Sequence, residues 1–243
     1  MKKFLLIVSY FVFLVSLSFA QKDSNYKETK KIFLSKISIV DHSESNQSTS
    51  NKTVSAEDTL QKLNFSKKEN IKIPEFVSLK EISGIKAIWP VPYSTTFDVV
   101  TDWLVGGNLV TRLWQVGVQT DDYYGPPSGH SGQICAATKL NAYYGVNNAQ
   151  EYLVSPEISL SGTTKPRLSF CMDMESENNY DWGAVYISNN GGTFYRISRT
   201  DFEQNRPNNT TNDAWTGTVP TGDWQQVFLD LFSVTNTNLA PIS

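Results

Sequence analysis

The sequence predicts an all-β antiparallel sandwich, and three observations carry that prediction. Apolar and polar residues alternate over short runs, most plainly Leu168, Phe170 and Met172 with Ser169, Cys171 and Asp173 between them. Such period-2 alternation marks half-buried antiparallel strands. The runs are bounded by Gly, Pro and Asn, as in Ser161-Gly162, Lys165-Pro166 and Asn189-Asn190-Gly191-Gly192. The last of these supplies the positive φ that a tight hairpin needs. No long segment keeps a 3.6-residue apolar period, so layered helices are excluded.

Composition sets a boundary before the elements are placed. All 6 Trp lie at or after Trp89, and all 14 Gly at or after Gly84. Of the 10 Pro, Pro74 alone precedes Pro90. The shift predicts a domain start near residue 89. Charge divides there too. Residues 1–88 hold 14 Lys/Arg against 9 Asp/Glu, a net of +5, and residues 89–243 hold 7 against 15, a net of −8. An acidic domain repels a phosphate backbone, so nucleic acid is excluded as a partner. A cation such as calcium, or an uncharged glycan or protein surface, suits it better.

In chain order, residues 1–20 read as a secretory signal peptide: Lys2-Lys3, an apolar run from Phe4 to Val15, and Ser18-Phe19-Ala20 as a small-residue cleavage site. The run is short for a membrane helix, and no other stretch of the chain can span a membrane. The alternative is an uncleaved anchor. Residues 21–88 read as a disordered linker or pro-region, with a small pro-domain as the alternative. Residues 41–58 have almost nothing to bury, whereas Ile32 to Val40 can form a strand or short helix.

The folded part begins at Val91-Pro92-Tyr93 and takes in Trp103, Trp114-Gln115-Val116-Gly117 and Gln133 to Thr138. Residues 151–198 follow as successive strands, the centre of the domain. Near the end, Trp224, Val227, Leu229 and Leu231 are the apolar positions of a strand in which Gln225-Gln226 predicts a bulge.

Several of these pieces, taken in order, resemble a known family. They are PYSTTFD (92–98), Asp102-Trp103, Trp114-Gln115, GHSGQICAAT (129–138), EYLVSPEISLSG (151–162), KPRLSF (165–170), YDWGAVYISNNGG (180–192), AWTG (214–217) and WQQVFLDL (224–231). This order resembles the MAM-like jelly-roll domains of secreted Bacteroidetes-type proteins. These include the cleaved-adhesin modules of gingipains, choice-of-anchor J proteins, and the module attached to immune inhibitor A metallopeptidases. The resemblance implies a jelly-roll β-sandwich over residues 89–243. It also implies a non-catalytic adhesion or accessory role at an extracellular protein or glycan surface. The alternative it implies is an accessory domain of a secreted peptidase whose catalytic part lies outside these residues. Family members usually continue with a V-x-I-R-F strand and a closing G-W-x-I-D-D segment. Neither is present, so the expectation is a domain short of its last strands. The aspartate-rich loop of many relatives is absent as well, which removes the support they would lend to calcium.

Catalysis finds little in the residues. The chain has two histidines, His42 and His130, and no H-E-x-x-H. Gly129-His-Ser-Gly132 is not the nucleophile-elbow pattern, and a turn entering a strand explains it. Calcium is the leading chemical reading. Asp173, Glu175, Glu177 and Asp181 fall within nine residues, and flexible oxygen ligands suit Ca²⁺. A solvated acidic loop is the plainer explanation of the same residues. For recognition, the candidates are Tyr123, Tyr124, Tyr143 and Tyr144, in loops where rings stack on sugars or anchor a partner. Trp182 and Trp215 are read as core caps. Cys135 and Cys171 are the only cysteines. Export favours a disulfide between them, and two buried thiols are the open alternative.

Overall fold

The structure is a computed structural model, and it describes residues 10–19, 31–41, 73–78, 88–97, 103–107, 109, 111–119, 126, 128–142, 150–189, 193–219 and 224–234. Among these, the strands in chain order are β1 (Tyr10–Phe19), β2 (Lys31–Asp41), β3 (Phe76–Ser78), β4 (Ile88–Pro90), β5 (Tyr93–Thr95), β6 (Leu104–Gly107), β7 (Trp114–Val118) and β8 (Ile134–Thr138). Then come β9 (Gln150–Val154), β10 (Glu157–Ser159), β11 (Pro166–Glu175), β12 (Asp181–Ser188), β13 (Thr193–Arg196), β14 (Phe202–Gln204), β15 (Thr218–Val219) and β16 (Gln225–Asp230).

They form two facing sheets. The first runs β3-β13-β12-β1-β10-β4, with β9 and β6 continuing beside β1. The second runs β14-β16-β11-β2-β8-β7, with β15 on β11 and β5 on β2. Pairing is antiparallel except between β10 and β4. The predicted all-β sandwich is therefore the observed class. Among the described residues no helix is long and apolar enough to cross a membrane.

Alternation explains why the sheets face each other. On β11, Leu168, Phe170, Met172 and Met174 point inward and are buried. They meet Leu153, Val185 and Ile187 of the first sheet, together with Leu34, Val227 and Leu229 of their own. Trp215 closes this core edge-on to Phe170 and Phe202, with ring centroids 6.1 and 5.2 Å away. The first sheet is covered on its outer face too. Tyr152, Val154, Trp182, Ala184, Tyr186 and Phe194 pack there with Ile73 and Ala214. All eight residues of β12 are consequently buried. A strand covered on both faces loses the polar half of its alternation, as Trp182-Gly183-Ala184-Val185-Tyr186-Ile187 does.

Three placements in the structure bear on the sequence reading. First, the boundary near residue 89 does not divide the fold. Residues 31–41, expected within a linker or pro-region, form β2 between β11 and β8. Their apolar content fits them for a sheet centre, and Leu34, Ile37 and Ile39 enter the main core. Residues 73–78 join the first sheet, Phe76–Ser78 as its edge strand β3 on β13 and Ile73 in the outer cluster. Arg196 donates to the Ile73 and Pro74 carbonyls at 2.7 and 3.3 Å, and the Tyr186 hydroxyl donates to Pro74 at 2.7 Å. Second, Tyr10–Phe19, which overlaps the apolar run of the expected export signal, lies in the first sheet as β1. A continuous apolar run satisfies either role. Third, β16 carries no bulge at Gln225-Gln226, since its register with β11 is unbroken from Asp230 to Gln225. Trp224 packs on the outer face beside Cys135 and Ala137, so no extra residue is needed to bring it inward.

Candidate functional site

Two loops meet at one end of the sandwich, and their polar side chains hold each other in place. Residues 175–181 cross from β11 in the second sheet to β12 in the first. Residues 205–217 return from the 3-10 turn and β14 toward β15. They are tied backbone to backbone: the Ser176 amide donates to the Gly217 carbonyl at 3.0 Å. The Gly217 amide donates back to the Ser176 hydroxyl at 2.9 Å. The Asn179 amide donates to the Thr216 hydroxyl at 2.7 Å, from a residue in the left-handed region at φ 63°. The Asn208 side chain acts as a strand segment for Thr216. Its oxygen accepts from the Thr216 amide at 2.9 Å and its nitrogen donates to the Thr216 carbonyl at 2.7 Å. Trp215 and Gly183 exchange backbone hydrogen bonds of 2.8 and 2.9 Å, which fixes this loop to the first sheet. The rim that results is polar and held. Glu175, Asn178, Asn179, Arg206, Asn208, Thr210 and Thr211 are exposed along it.

The four carboxylates of the calcium reading do not come together here. Asp173 and Glu175 project from the same face of β11 in the second sheet. Asp181 opens β12 in the first sheet, buried, and its Oδ2 accepts from the Glu177 amide at 3.2 Å. Among the described residues no three His, Cys, Asp or Glu side chains converge closely enough to hold a metal ion. Asp173 and Glu175 stay on β11 while Asp181 opens β12, because the loop spans the gap between two sheets.

Tyr123, Tyr124, Tyr143 and Tyr144 lie outside the described residues. Trp182 and Trp215 are buried core residues, as their sequence setting predicts. His130 is exposed, and its ring stands edge-on to Trp224 at 6.3 Å. Its amide donates to the Ser35 hydroxyl at 3.1 Å, so the turn seals the outer face of the second sheet. Beneath that turn lie the cysteines, each a buried thiol. β2 separates them. Cys171 is level with Ser35 on one side, and Leu34 pairs Ala136 on the other, one step from Cys135. Two strand spacings amount to about 9.6 Å, beyond the roughly 7 Å between Cα atoms that a disulfide spans. The disulfide alternative is overturned for this fold.

One arrangement escaped the sequence reading. Glu151 is wholly buried and accepts from the Leu109 amide at 3.2 Å and the Leu113 amide at 3.0 Å. The Arg112 guanidinium lies 3.7 Å away and donates to the Gly107 and Leu109 carbonyls, both at 2.6 Å. A glutamate opening an apolar strand was the available signal. Its partners lie some forty positions earlier in the chain.

Fold and side chains together define an all-β sandwich whose polar groups, at this end, lock one loop against another. Residues 114–239 match the family described as the Cleaved Adhesin Domain. That span is more than half of the chain, and the chain belongs to this family. No curated protein and no solved structure matches it.

Proposed function

We propose that the protein is a non-catalytic extracellular adhesion module that docks on a protein or glycan surface. Membership of the Cleaved Adhesin Domain family carries this reading. The locked polar rim supports it, because exposed amides and hydroxyls on an immobilised backbone bind with little ordering cost. The net charge of −8 over residues 89–243 points to a partner other than nucleic acid. Residues 1–20 direct export and are removed, which delivers the module to the medium or the cell surface. Attachment to a secreted peptidase is the second reading. It rests on the resemblance of roughly residues 91–232 to modules that accompany such enzymes.

Tyr143 and Tyr144, with Tyr123 and Tyr124, supply the aromatic anchors of this contact. Exported protein is screened on a glycan array and on immobilised extracellular-matrix proteins. A Tyr143→Ala/Tyr144→Ala double variant is expected to lose at least about tenfold in affinity for whatever the parent binds, as truncation of an aromatic hot spot does. Its urea midpoint is expected to be unchanged. Undiminished binding removes the tyrosines from the site.

A further inference from the structure

The first sheet is joined across its middle by a single strand. β1 pairs with β12 at eight positions, Val12–Phe19 against Ser188–Asp181. On its other side it pairs with β9 at five, Leu14–Ser18 against Val154–Gln150. β9 and β12 share no pairing of their own. The strands beside β1 are covered on both faces. Leu153, Val185 and Ile187 enter the core between the sheets. Tyr152, Val154, Trp182, Ala184 and Tyr186 enter the outer cluster. A strand in that place has a partner on each edge and covered neighbours on each side. YFVFLVSLSF, polar only at Tyr10, Ser16 and Ser18, has the composition such a place demands. Ser16 falls in register with Tyr152 and Ser18 with Trp182, a large ring on the adjoining strand in each case.

The same ten residues overlap the apolar run that is removed if residues 1–20 direct export, and the strand's removal depends on that role. Cleavage after Ala20 would take away the strand joining the two halves of the sheet. It would leave two facing ladder edges, and unpaired backbone groups there are costly. The chain's other long apolar strand, β2, is committed to β11 and β8 in the second sheet.

We propose that the groove between β9 and β12 is a strand-binding site of the exported protein. Its ligand is an extended apolar segment of about ten residues from a partner polypeptide. The segment runs antiparallel to both flanking strands. It is apolar at the register positions of Phe13, Val15 and Leu17 and small at those of Ser16 and Ser18. Backbone hydrogen bonds supply affinity on both edges, and the two buried faces supply selectivity.

The test uses protein recovered from the medium of the expressing cell. Its N-terminus is read by mass spectrometry and its mass in solution by light scattering. The probe is a synthetic peptide of residues 10–19 carrying a lysine tail for solubility. A second peptide carries Val15→Asp, which sets a charge at the position level with Val185 and Leu153. The expected result is a chain that begins at Gln21 and binds the first peptide one to one with a rise in Tm. The second peptide is expected to bind at least about tenfold more weakly, because a charge in an apolar slot is unpaired. A chain beginning at Gln21 that takes no peptide, or takes both equally, overturns the strand-binding site. A dimer that excludes the peptide also overturns it, since a second copy then fills the groove. Retention of residues 1–20 overturns the export role on which the site depends.

Discussion

Glu151 shows how one buried carboxylate ties down the backbone of a loop whose Leu109 and Leu113 also pack on the main core. Its two oxygens accept from the Leu109 and Leu113 amides, and Arg112 ties the Gly107 and Leu109 carbonyls from the other side. Gly107 is required at φ 151°, because a Cβ there would meet Glu151 Oε1 at 2.1 Å. Glu151→Gln places an amide donor where both partners are donors. Hydrogen bonds to a charged acceptor contribute about 1.5–3 kcal/mol, and a loss in that range is expected in urea unfolding with the slope unchanged. A loss below about 0.5 kcal/mol, the scale of ordinary surface changes, would remove Glu151 from this role. Its neighbour Tyr152 gives a pH dependence. Burial, and next the Glu151 carboxylate, raise its hydroxyl pKa. Below about pH 10 the phenol is neutral in both folded and unfolded chains. Above that the unfolded chain sheds the proton while the folded one keeps it, so stability falls as pH rises. Tyr152→Phe lacks this titration. Its stability relative to the parent is expected to improve between about pH 8 and about pH 10.5, and parallel curves would contradict the assignment.

At the scale of the element, the thiols test which strands neighbour which. If β2 lies between β8 and β11, Ellman's reagent is expected to count two thiols in denatured, exported protein and almost none in the native state. A count of zero after denaturation would mean that the cysteines meet and β2 is displaced. The same strands mark how far the sequence could be read. The alternation of β11 and the antiparallel pairing of β12 with β13 were legible because each is a local pattern. The membership of β2 was only half legible. Ile32 to Val40 carries strand-forming residues, but its pairing with Pro166–Glu175 spans more than a hundred residues of chain and leaves no local trace. The bulge expected at Gln225-Gln226 failed for a related reason. Hydrophobicity alone sends Trp224 to the inner face, whereas the outer face of this sheet has its own small apolar cluster.

At the scale of the whole molecule, no three of the acidic residues of the calcium reading gather at one point. β11 and β12 belong to opposite layers, so the loop between them must cross the thickness of the sandwich, about 10 Å between stacked sheets. Asp173 and Glu175 stay with the second layer, and Asp181 is drawn into the first, where it accepts from the Glu177 amide. Calcium takes six to eight oxygens, and no three of the described acidic side chains converge to begin such a set. Backbone and side-chain hydrogen bonds from Ser176, Asn179 and Thr216 hold the loop closed. Isothermal titration of the exported protein with millimolar Ca²⁺ is therefore expected to give no saturable heat, and its Tm is expected to be the same with and without a chelator. A saturable heat lost in a Glu175→Gln/Glu177→Gln double variant would show that the crossing loop opens to a metal. The rim would then be a cation-gated surface rather than one locked by its own amides.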